Sequence, residues 1–71
     1  MARDSQGESV LRKHLRVMDV FDAAHPFRTL TEISDVSGLA LSTAHRVVGE
    51  LTEEGLLERM PDRTYRLGIR L

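Results

Sequence analysis

Four polar side chains lie close together in the middle of the chain, at Ser42, Thr43, His45 and Arg46. A serine or threonine hydroxyl can exchange a hydrogen bond with a base edge or a phosphate, and an arginine can form two parallel hydrogen bonds to guanine O6 and N7. His45 can donate to a phosphate oxygen. These residue types in one short stretch make residues 42–46 the candidate contact set for double-stranded DNA.

Simpler interpretations stand beside this one. Ser42 is a residue type favoured at the N-cap of any helix. Arg46 lies four residues before Glu50 and can pair with it along a helix. A surface histidine such as His45 needs no function.

A first short helix is predicted ahead of this stretch. Leu30, Ile33 and Val36 recur every three residues, which keeps them on one side of a helix. Thr29 lies three residues before Glu32, the spacing of a capping box in which each side chain bonds the other residue's backbone N–H. The helix is therefore expected to begin at about Leu30.

A second helix is predicted to carry the polar stretch itself. Gly38 can adopt the left-handed conformation that ends the preceding helix, and the periodicity then runs from Ala40 to Glu54, with Gly55 closing the helix. Its predicted buried face contains Ala40, Ala44, Val47, Val48 and Leu51. Acidic residues concentrate in its last turns, so only its N-terminal half can approach phosphates, as in a recognition helix that enters the major groove.

Residues 9–24 have a helical apolar pattern that is wider than one buried face requires. On a wheel at about 100° per residue the apolar positions span roughly 220°, and the helix is expected to end at His25, ahead of Pro26. One side is predicted to pack on the helix pair and the other on a second copy in a two-fold dimer. The predicted dimer contacts are Val10, His14, Val17 and Phe21. Lys13 and Asp22 interrupt the arc, so ordinary surface exposure is the alternative.

After Gly55 the repeat of apolar residues changes from 3.6 residues, typical of a helix, to 2 residues, typical of a strand. Residues 57–60 and 65–71 are predicted strands joined by a turn at 61–64, with Leu57, Tyr65 and Leu67 covering the core. A β-hairpin directly after a recognition helix is typical of a wing, whose tip arginine Arg63 can reach phosphates or an adjacent minor groove, with Arg66 as a further backbone contact. Arg28, in a short extended segment at 27–29, and Thr31, in the first turn of the next helix, are further candidates for phosphate contact. The alternative for Arg63 is solubility of the turn, and the alternative for Arg28 is solvated charge.

Composition narrows the classes of protein to which the chain can belong. A chain of 71 residues is one small domain, and without cysteine it has neither disulfides nor cysteine zinc sites. The three histidines lack metal-ligand spacing, and we expect no cofactor. The net charge of −1 is unusual for a DNA-binding domain, but residues 59–70 hold four arginines and one acid.

No apolar run is long enough for a membrane span or signal peptide, so a cytoplasmic protein is expected. Residues 1–8 are predicted to be a disordered tail and residues 9–71 the folded domain.

The ordered set of motifs resembles the N-terminal DNA-binding domain of IclR-type (isocitrate lyase regulator) bacterial transcription factors. The motifs are TLTEI at 29–33, GL at 38–39, LSTAHR at 41–46, EGLL at 54–57 and YRLG at 65–68. The resemblance implies a repressor or activator that binds operator DNA as a dimer, with base and backbone contacts at Ser42, Thr43, His45 and Arg46. It also implies dimerisation through the first helix and a linker helix, and a C-terminal effector-binding domain absent from this chain. Ala40 departs from a proline common in the family.

The predicted architecture is mainly α with a small β-hairpin, a winged helix-turn-helix of three helices plus a wing. The predicted function is sequence-specific binding of a near-palindromic DNA site by a homodimer. The alternative, favoured by the acidic pI near 6.3, is a winged helix used for protein association without DNA. An enzyme is not expected, because Ser42 and His45 have no orienting carboxylate or oxyanion-hole loop beside them.

Overall fold

The computed structural model describes residues 9–68, which form three helices and a three-stranded antiparallel sheet. The elements are α1 (Val10–Met18), β1 (Arg28–Thr29), α2 (Leu30–Ser37), α3 (Leu41–Glu53), β2 (Leu57–Arg59) and β3 (Thr64–Leu67). This is the predicted arrangement of helices and hairpin. The predicted tail at 1–8 and the end of the predicted second strand at 69–71 lie outside the described residues. Within residues 9–68 no helix is long and apolar enough to cross a membrane, and no cluster of three potential metal ligands occurs.

Helix α2 begins with the predicted capping box. The Glu32 amide donates to Thr29 Oγ1 at 3.2 Å, and the Thr29 amide donates to Glu32 Oε1 at 2.8 Å. Ile33 is fully buried, as predicted, but Val36 is 54% exposed. At about 100° per residue, position 36 lies about 120° around the helix from position 30, whereas position 37 lies within about 20°. Ser37 therefore takes the buried place predicted for Val36.

The turn between α2 and α3 depends on Gly38, which caps α2 with φ of 79°. Arg16 of α1 reaches the same turn, where its Nε and Nη2 donate to the Ser37 carbonyl at 3.1 and 2.7 Å. A Cβ added at Gly38 would lie 2.9 Å from Arg16 Nη2. The positive φ at this turn therefore favours glycine, and an added Cβ would also displace the end of the Arg16 side chain.

Gly38→Ala is expected to lower the free energy of unfolding by about 1–2 kcal/mol, because alanine is strained in the left-handed region. Chemical denaturation measures the change. Gly49→Ala is the control, because a Cβ at Gly49 in α3 meets nothing within 4 Å and helix propensity favours alanine by up to about 1 kcal/mol. Equal stability of the two variants would contradict this account of the turn.

Helix α3 is one residue shorter at each end than predicted, because Ala40 and Glu54 are its caps. Four of the five predicted core residues are buried, namely Ala44, Val47, Val48 and Leu51, whereas Ala40 is exposed. Ala40 makes no side-chain cap hydrogen bond. Ser42 is inside the helix, so its alternative interpretation as an N-cap is wrong.

Helix α1 ends at Met18, and its predicted extension to His25 is wrong. After Met18 the backbone hydrogen bonds span three residues instead of four. The Val20 amide donates to the Val17 carbonyl at 3.2 Å, and the Phe21 amide donates to the Met18 carbonyl at 3.4 Å. Asp22 then closes a separate turn, where its Oδ1 accepts from the His25 amide at 2.7 Å. The chain thus leaves the helix early and turns Val20 and Phe21 into the core.

The core lies where the three helices and the sheet meet. Its buried members are Val17, Val20, Phe21, Ile33, Ala44, Val47, Val48, Leu51 and Leu57. The prediction that Val17 and Phe21 contact a second copy is wrong, because they are only 0% and 7% exposed inside the domain's own core. The apolar residues that α1 exposes are Val10, Leu11 and Leu15.

The sheet has the order β1-β3-β2. Arg28 pairs with Tyr65 across β1 and β3, and Leu57 pairs with Leu67 across β2 and β3. Leu57 is buried and Tyr65 packs against the core, as predicted. Leu67 is instead partly exposed, because it borders an open depression near Phe27 at the end of β3.

Candidate nucleic-acid interface

The candidate contact residues occupy the first turns of α3, on the side opposite its buried residues. Ser42, His45 and Arg46 are exposed and Thr43 is half-buried. Positions 42, 45, 46 and 49 share one face at helical spacing, while Val47 and Val48 anchor the other face in the core. The packed side of the helix thus holds the polar side toward solvent, in the position that a recognition helix requires.

An open groove separates this face from the wing, which comprises β2, β3 and the turn between them. The α3–wing groove is lined by His45, Arg46, Gly49, Glu50, Thr52, Glu53, Arg59 and Tyr65. Arg59 was not among the predicted contacts. Side chains two residues apart in a strand share a face, so its spacing from the buried Leu57 was the signal that places it on the helix-facing side of β2.

Arg46 has a partner within its own helix. Its Nη1 lies 3.5 Å from Glu50 Oε2, and both side chains are about half exposed. The alternative interpretation of Arg46 as a helix-surface ion pair is therefore present in the structure. Exposed pairs at this spacing stabilise a helix by only about 0.2–0.5 kcal/mol, so the pair leaves Arg46 able to exchange to a stronger acceptor.

Arg63 lies at the tip of the wing, as predicted, and is exposed. Its amide donates to the Met60 carbonyl at 3.0 Å, and its φ of 72° is the only positive value at a non-glycine residue between positions 9 and 68. A hairpin turn of this form favours glycine at that position, and an L-residue there costs roughly 1–2 kcal/mol. The turn therefore has an arginine side chain at a position where the backbone conformation favours glycine.

Asp62 and Thr64 hold the turn on either side of Arg63. Asp62 Oδ1 accepts from the Thr64 hydroxyl at 2.6 Å and from the Thr64 amide at 3.0 Å. The side-chain hydrogen bond, followed by the backbone one, lowers the pKa of Asp62. The tip thus presents a carboxylate and a guanidinium on adjacent residues.

The remaining predicted contacts lie outside the α3–wing groove. Arg66 is next to the groove-lining Tyr65 and so points to the opposite face of β3, where its Nε and Nη2 donate to Glu58 Oε1 at 3.0 and 2.8 Å. Arg28 Nε donates to the Val20 carbonyl at 3.0 Å. Thr31 is exposed in the first turn of α2. The structure therefore gives Arg66 and Arg28 intramolecular partners. Of the predicted contact residues, Arg46 and His45 are the two that line the α3–wing groove together with Arg59.

Comparison with known proteins assigns this arrangement to a family. The IclR helix-turn-helix domain matches residues 10–61, most of the chain. The chain belongs to the IclR family. This confirms the resemblance found in the sequence, and the family is one of helix-turn-helix domains of DNA-binding transcriptional regulators, not a family of enzymes. No curated protein sequence matches the chain significantly.

Solved structures of IclR proteins share the fold. An IclR homologue from Microbacterium hydrocarbonoxydans, complexed with 4-hydroxybenzoate, is 40% identical with a TM-score of 0.85 over 87% of this chain and 26% of its own. A homologue from Microbacterium sp. strain HM58-2 is 40% identical with a TM-score of 0.85 over 89% and 26%. An IclR family transcriptional regulator from Brucella abortus is 27% identical with a TM-score of 0.84 over 93% and 26%. The chain therefore spans about a quarter of each of these IclR proteins, and the winged helix-turn-helix prediction is confirmed.

Proposed function

We propose that this IclR domain reads operator DNA by inserting the first two turns of α3 into the major groove. The observation that carries the proposal is the exposed face of α3, where Ser42, His45 and Arg46 project from a helix fixed in the core by Val47 and Val48. In this arrangement Arg46 makes the principal base contact, because its guanidinium can bond two acceptors of one guanine. The hydroxyls of Ser42 and Thr43 and the imidazole of His45 contact neighbouring base edges or phosphates.

The wing supplies contacts to the DNA backbone in this proposal. Arg59 faces α3 across the groove, and Arg63 extends from the tip. Gly49 of α3 lines the same groove and has no side chain, so the sugar-phosphate backbone can approach α3 closely. Thr31, exposed in the first turn of α2, stays in the proposal as a backbone contact. Arg28 of β1 also stays, because its Nε bonds a backbone carbonyl and a guanidinium has further N–H donors. Arg66 is left out because it lies on the opposite face of the wing, where it pairs with the Glu58 carboxylate. Such contacts set register and affinity without reading sequence.

Arg63→Gly is expected to separate binding from stability. Glycine relieves the left-handed backbone strain, so the free energy of unfolding stays level or rises by up to about 1 kcal/mol. Loss of the cation weakens binding to all sequences alike and reduces the salt slope of log K by about 0.9. Fluorescence anisotropy titrations on operator and scrambled duplexes across a salt series measure both effects.

Arg66→Ala is the matched control for Arg63→Gly, because it removes an arginine from the same hairpin but from the face opposite the groove. Its salt slope is expected to stay near that of the wild-type domain. An Arg63→Gly loss confined to one sequence, or an equal change of slope in both variants, would contradict the proposed backbone role of the wing tip.

We propose further that two copies bind paired half-sites of a near-palindromic operator. The support is an apolar strip on α1, where Leu11 and Leu15 are one turn apart and 68% and 52% exposed, beside the exposed Val10. This strip keeps Val10 from the interface predicted from sequence and has Leu11 and Leu15 in place of the buried Val17 and Phe21. His14 lies next to it but bonds Glu50 of its own chain at 2.8 Å.

The double variant Leu11→Gln/Leu15→Gln is expected to lose cooperative binding to a two-half-site duplex while retaining binding to a single half-site. The reason is that each buried leucine contributes roughly 1.5–3 kcal/mol to association. Sedimentation velocity with labelled duplexes counts the domains bound. Val36→Gln is the control, since it removes an exposed apolar residue from α2 instead. Unchanged cooperativity in the double variant would rule out this strip.

Control by a small molecule is a proposal for a longer protein that carries this domain. The Microbacterium hydrocarbonoxydans homologue is complexed with 4-hydroxybenzoate, and this chain covers 26% of that homologue. We propose that an effector acts from the remaining part of such a protein by changing how two copies of this domain are spaced on DNA.

A further inference from the structure

The Glu50 carboxylate connects α1 to the recognition face of α3. Its Oε1 lies 2.8 Å from His14 Nε2, within hydrogen-bond distance, and its Oε2 lies 3.5 Å from Arg46 Nη1. The two oxygens of one side chain therefore face two different elements. Arg46 is the residue to which base readout is assigned, so the contact on the other oxygen can affect how DNA is read.

His14 is held firmly enough to fix Glu50. Its side chain is 17% exposed, and its Nδ1 lies 2.6 Å from the Val10 carbonyl one turn earlier in α1. A carbonyl oxygen and a carboxylate oxygen both only accept, so the ring donates to both at once when it is doubly protonated and to one of them when it is neutral. With Nδ1 bonded to the backbone, the direction of Nε2 toward Glu50 follows from the geometry of the ring. The carboxylate is thereby oriented by a helix that does not itself carry the recognition face.

An acceptor oriented in this way restricts the motion of the Arg46 side chain. Its side chain has several rotatable bonds, and ordering a flexible side chain at an interface opposes binding. An acceptor one turn further along α3 restricts the directions that the guanidinium samples before DNA arrives. The pair is long and half exposed, so it restrains Arg46 without holding it away from a base.

We propose that Glu50, oriented by His14, is a positioning residue for Arg46, and that it increases discrimination between operator and altered sites rather than overall affinity. This inference rests on the proposed function, in particular on base readout by Arg46. Glu50 also carries negative charge in the α3–wing groove, and that charge weakens binding to every DNA sequence. Positioning must therefore be measured as discrimination, defined as the ratio of Kd for a site with one changed base pair to Kd for the selected operator.

The experiment compares the discrimination of the wild-type chain with that of six variants, Glu50→Gln, Glu50→Asp, Glu53→Gln, His14→Phe, Arg46→Ala and Arg46→Ala/Glu50→Gln. Glu50→Gln removes the charge and weakens the pair, whereas Glu50→Asp keeps the charge but shortens the reach. Glu53→Gln is the matched control, because Glu53 lines the same groove with the same charge. Melting temperatures confirm that each variant folds.

We expect Glu50→Gln and Glu50→Asp each to reduce discrimination at the Arg46 base pair by about 2- to 10-fold. Glu53→Gln is expected to tighten binding to all sequences without changing the ratio. In the Arg46→Ala background, Glu50→Gln should leave discrimination unchanged, because the residue through which it acts is missing. His14→Phe, which keeps the ring but removes the donor, should reproduce the Glu50→Asp effect in part.

Equal effects of Glu50→Gln and Glu53→Gln, or a Glu50→Gln effect that persists without Arg46, would overturn the positioning role and leave operator readout intact. A wild-type chain with no sequence preference would overturn the proposed function together with this inference. The two failures are distinguished by the wild-type measurement alone.

Discussion

Leu51→Ala is expected to lower the free energy of unfolding by about 2–5 kcal/mol, the range found when a buried leucine is truncated. Leu51 is buried on α3 among the core residues, and its carbonyl accepts from the Leu56 amide at 2.9 Å where the chain leaves the helix for the wing. Small domains have only about 5–15 kcal/mol of total stability. This variant therefore loses a large share of it, and urea denaturation followed by circular dichroism measures the loss.

Leu41→Ala is the control for this prediction. Leu41 is on the same helix but exposed, so its truncation removes little packing and is expected to change stability by less than about 0.5 kcal/mol. Similar midpoints for the two variants would mean that the buried face of α3 is assigned incorrectly.

Arg46→Ala is expected to weaken operator binding by about 1–3 kcal/mol and to relax preference at one base pair, because a bidentate base contact is lost. Arg46 is exposed at the centre of the α3 face and lines the α3–wing groove. Titration of the operator and its single-base variants with the mutant domain measures both the loss and the relaxed position.

Arg46→Lys separates charge from hydrogen-bond geometry. Lysine keeps the positive charge but not the planar fork, so we expect it to recover part of the affinity for all DNA without recovering the base preference. Wild-type sequence preference in Arg46→Ala would remove Arg46 from base readout, whatever its effect on affinity.

Features fixed by neighbouring residues were predictable from the sequence. The capping box needs only Thr29 and Glu32 three positions apart, and both of its hydrogen bonds are present. Gly38 ends α2 in the left-handed region because a glycine there meets no steric penalty. The buried face of α3 also follows from local periodicity, which is why the placement of Arg46 on the opposite face could be predicted.

Features that depend on contacts distant in sequence were predicted less well. The apolar arc of α1 does not show which of its sides the domain itself covers, and the structure buries Val17 and Phe21 rather than Leu11 and Leu15. The end of α1 depends on the turn that Asp22 closes, which competes with continued helix.

The wing illustrates the same limit in the candidate site. Arg59 and Arg66 are both arginines of one predicted hairpin, and strand register decides which of them faces α3. Counting in steps of two from Leu57 selects Arg59, but the pairing of β1 with β3 could not be read from the short segment at 27–29. Alternation along the hairpin therefore carries the assignment of Arg59 to the groove, whereas the third strand of the sheet does not follow from the sequence.

Selection of binding sites from a pool of random duplex DNA by the purified 71-residue chain, at low and at moderate salt, tests the proposed operator readout most directly. We expect enrichment of a short, near-palindromic motif that persists at moderate salt, because base contacts add to the salt-sensitive phosphate contacts. Recovery of no motif, with binding that disappears at moderate salt, would contradict sequence-specific readout by this domain.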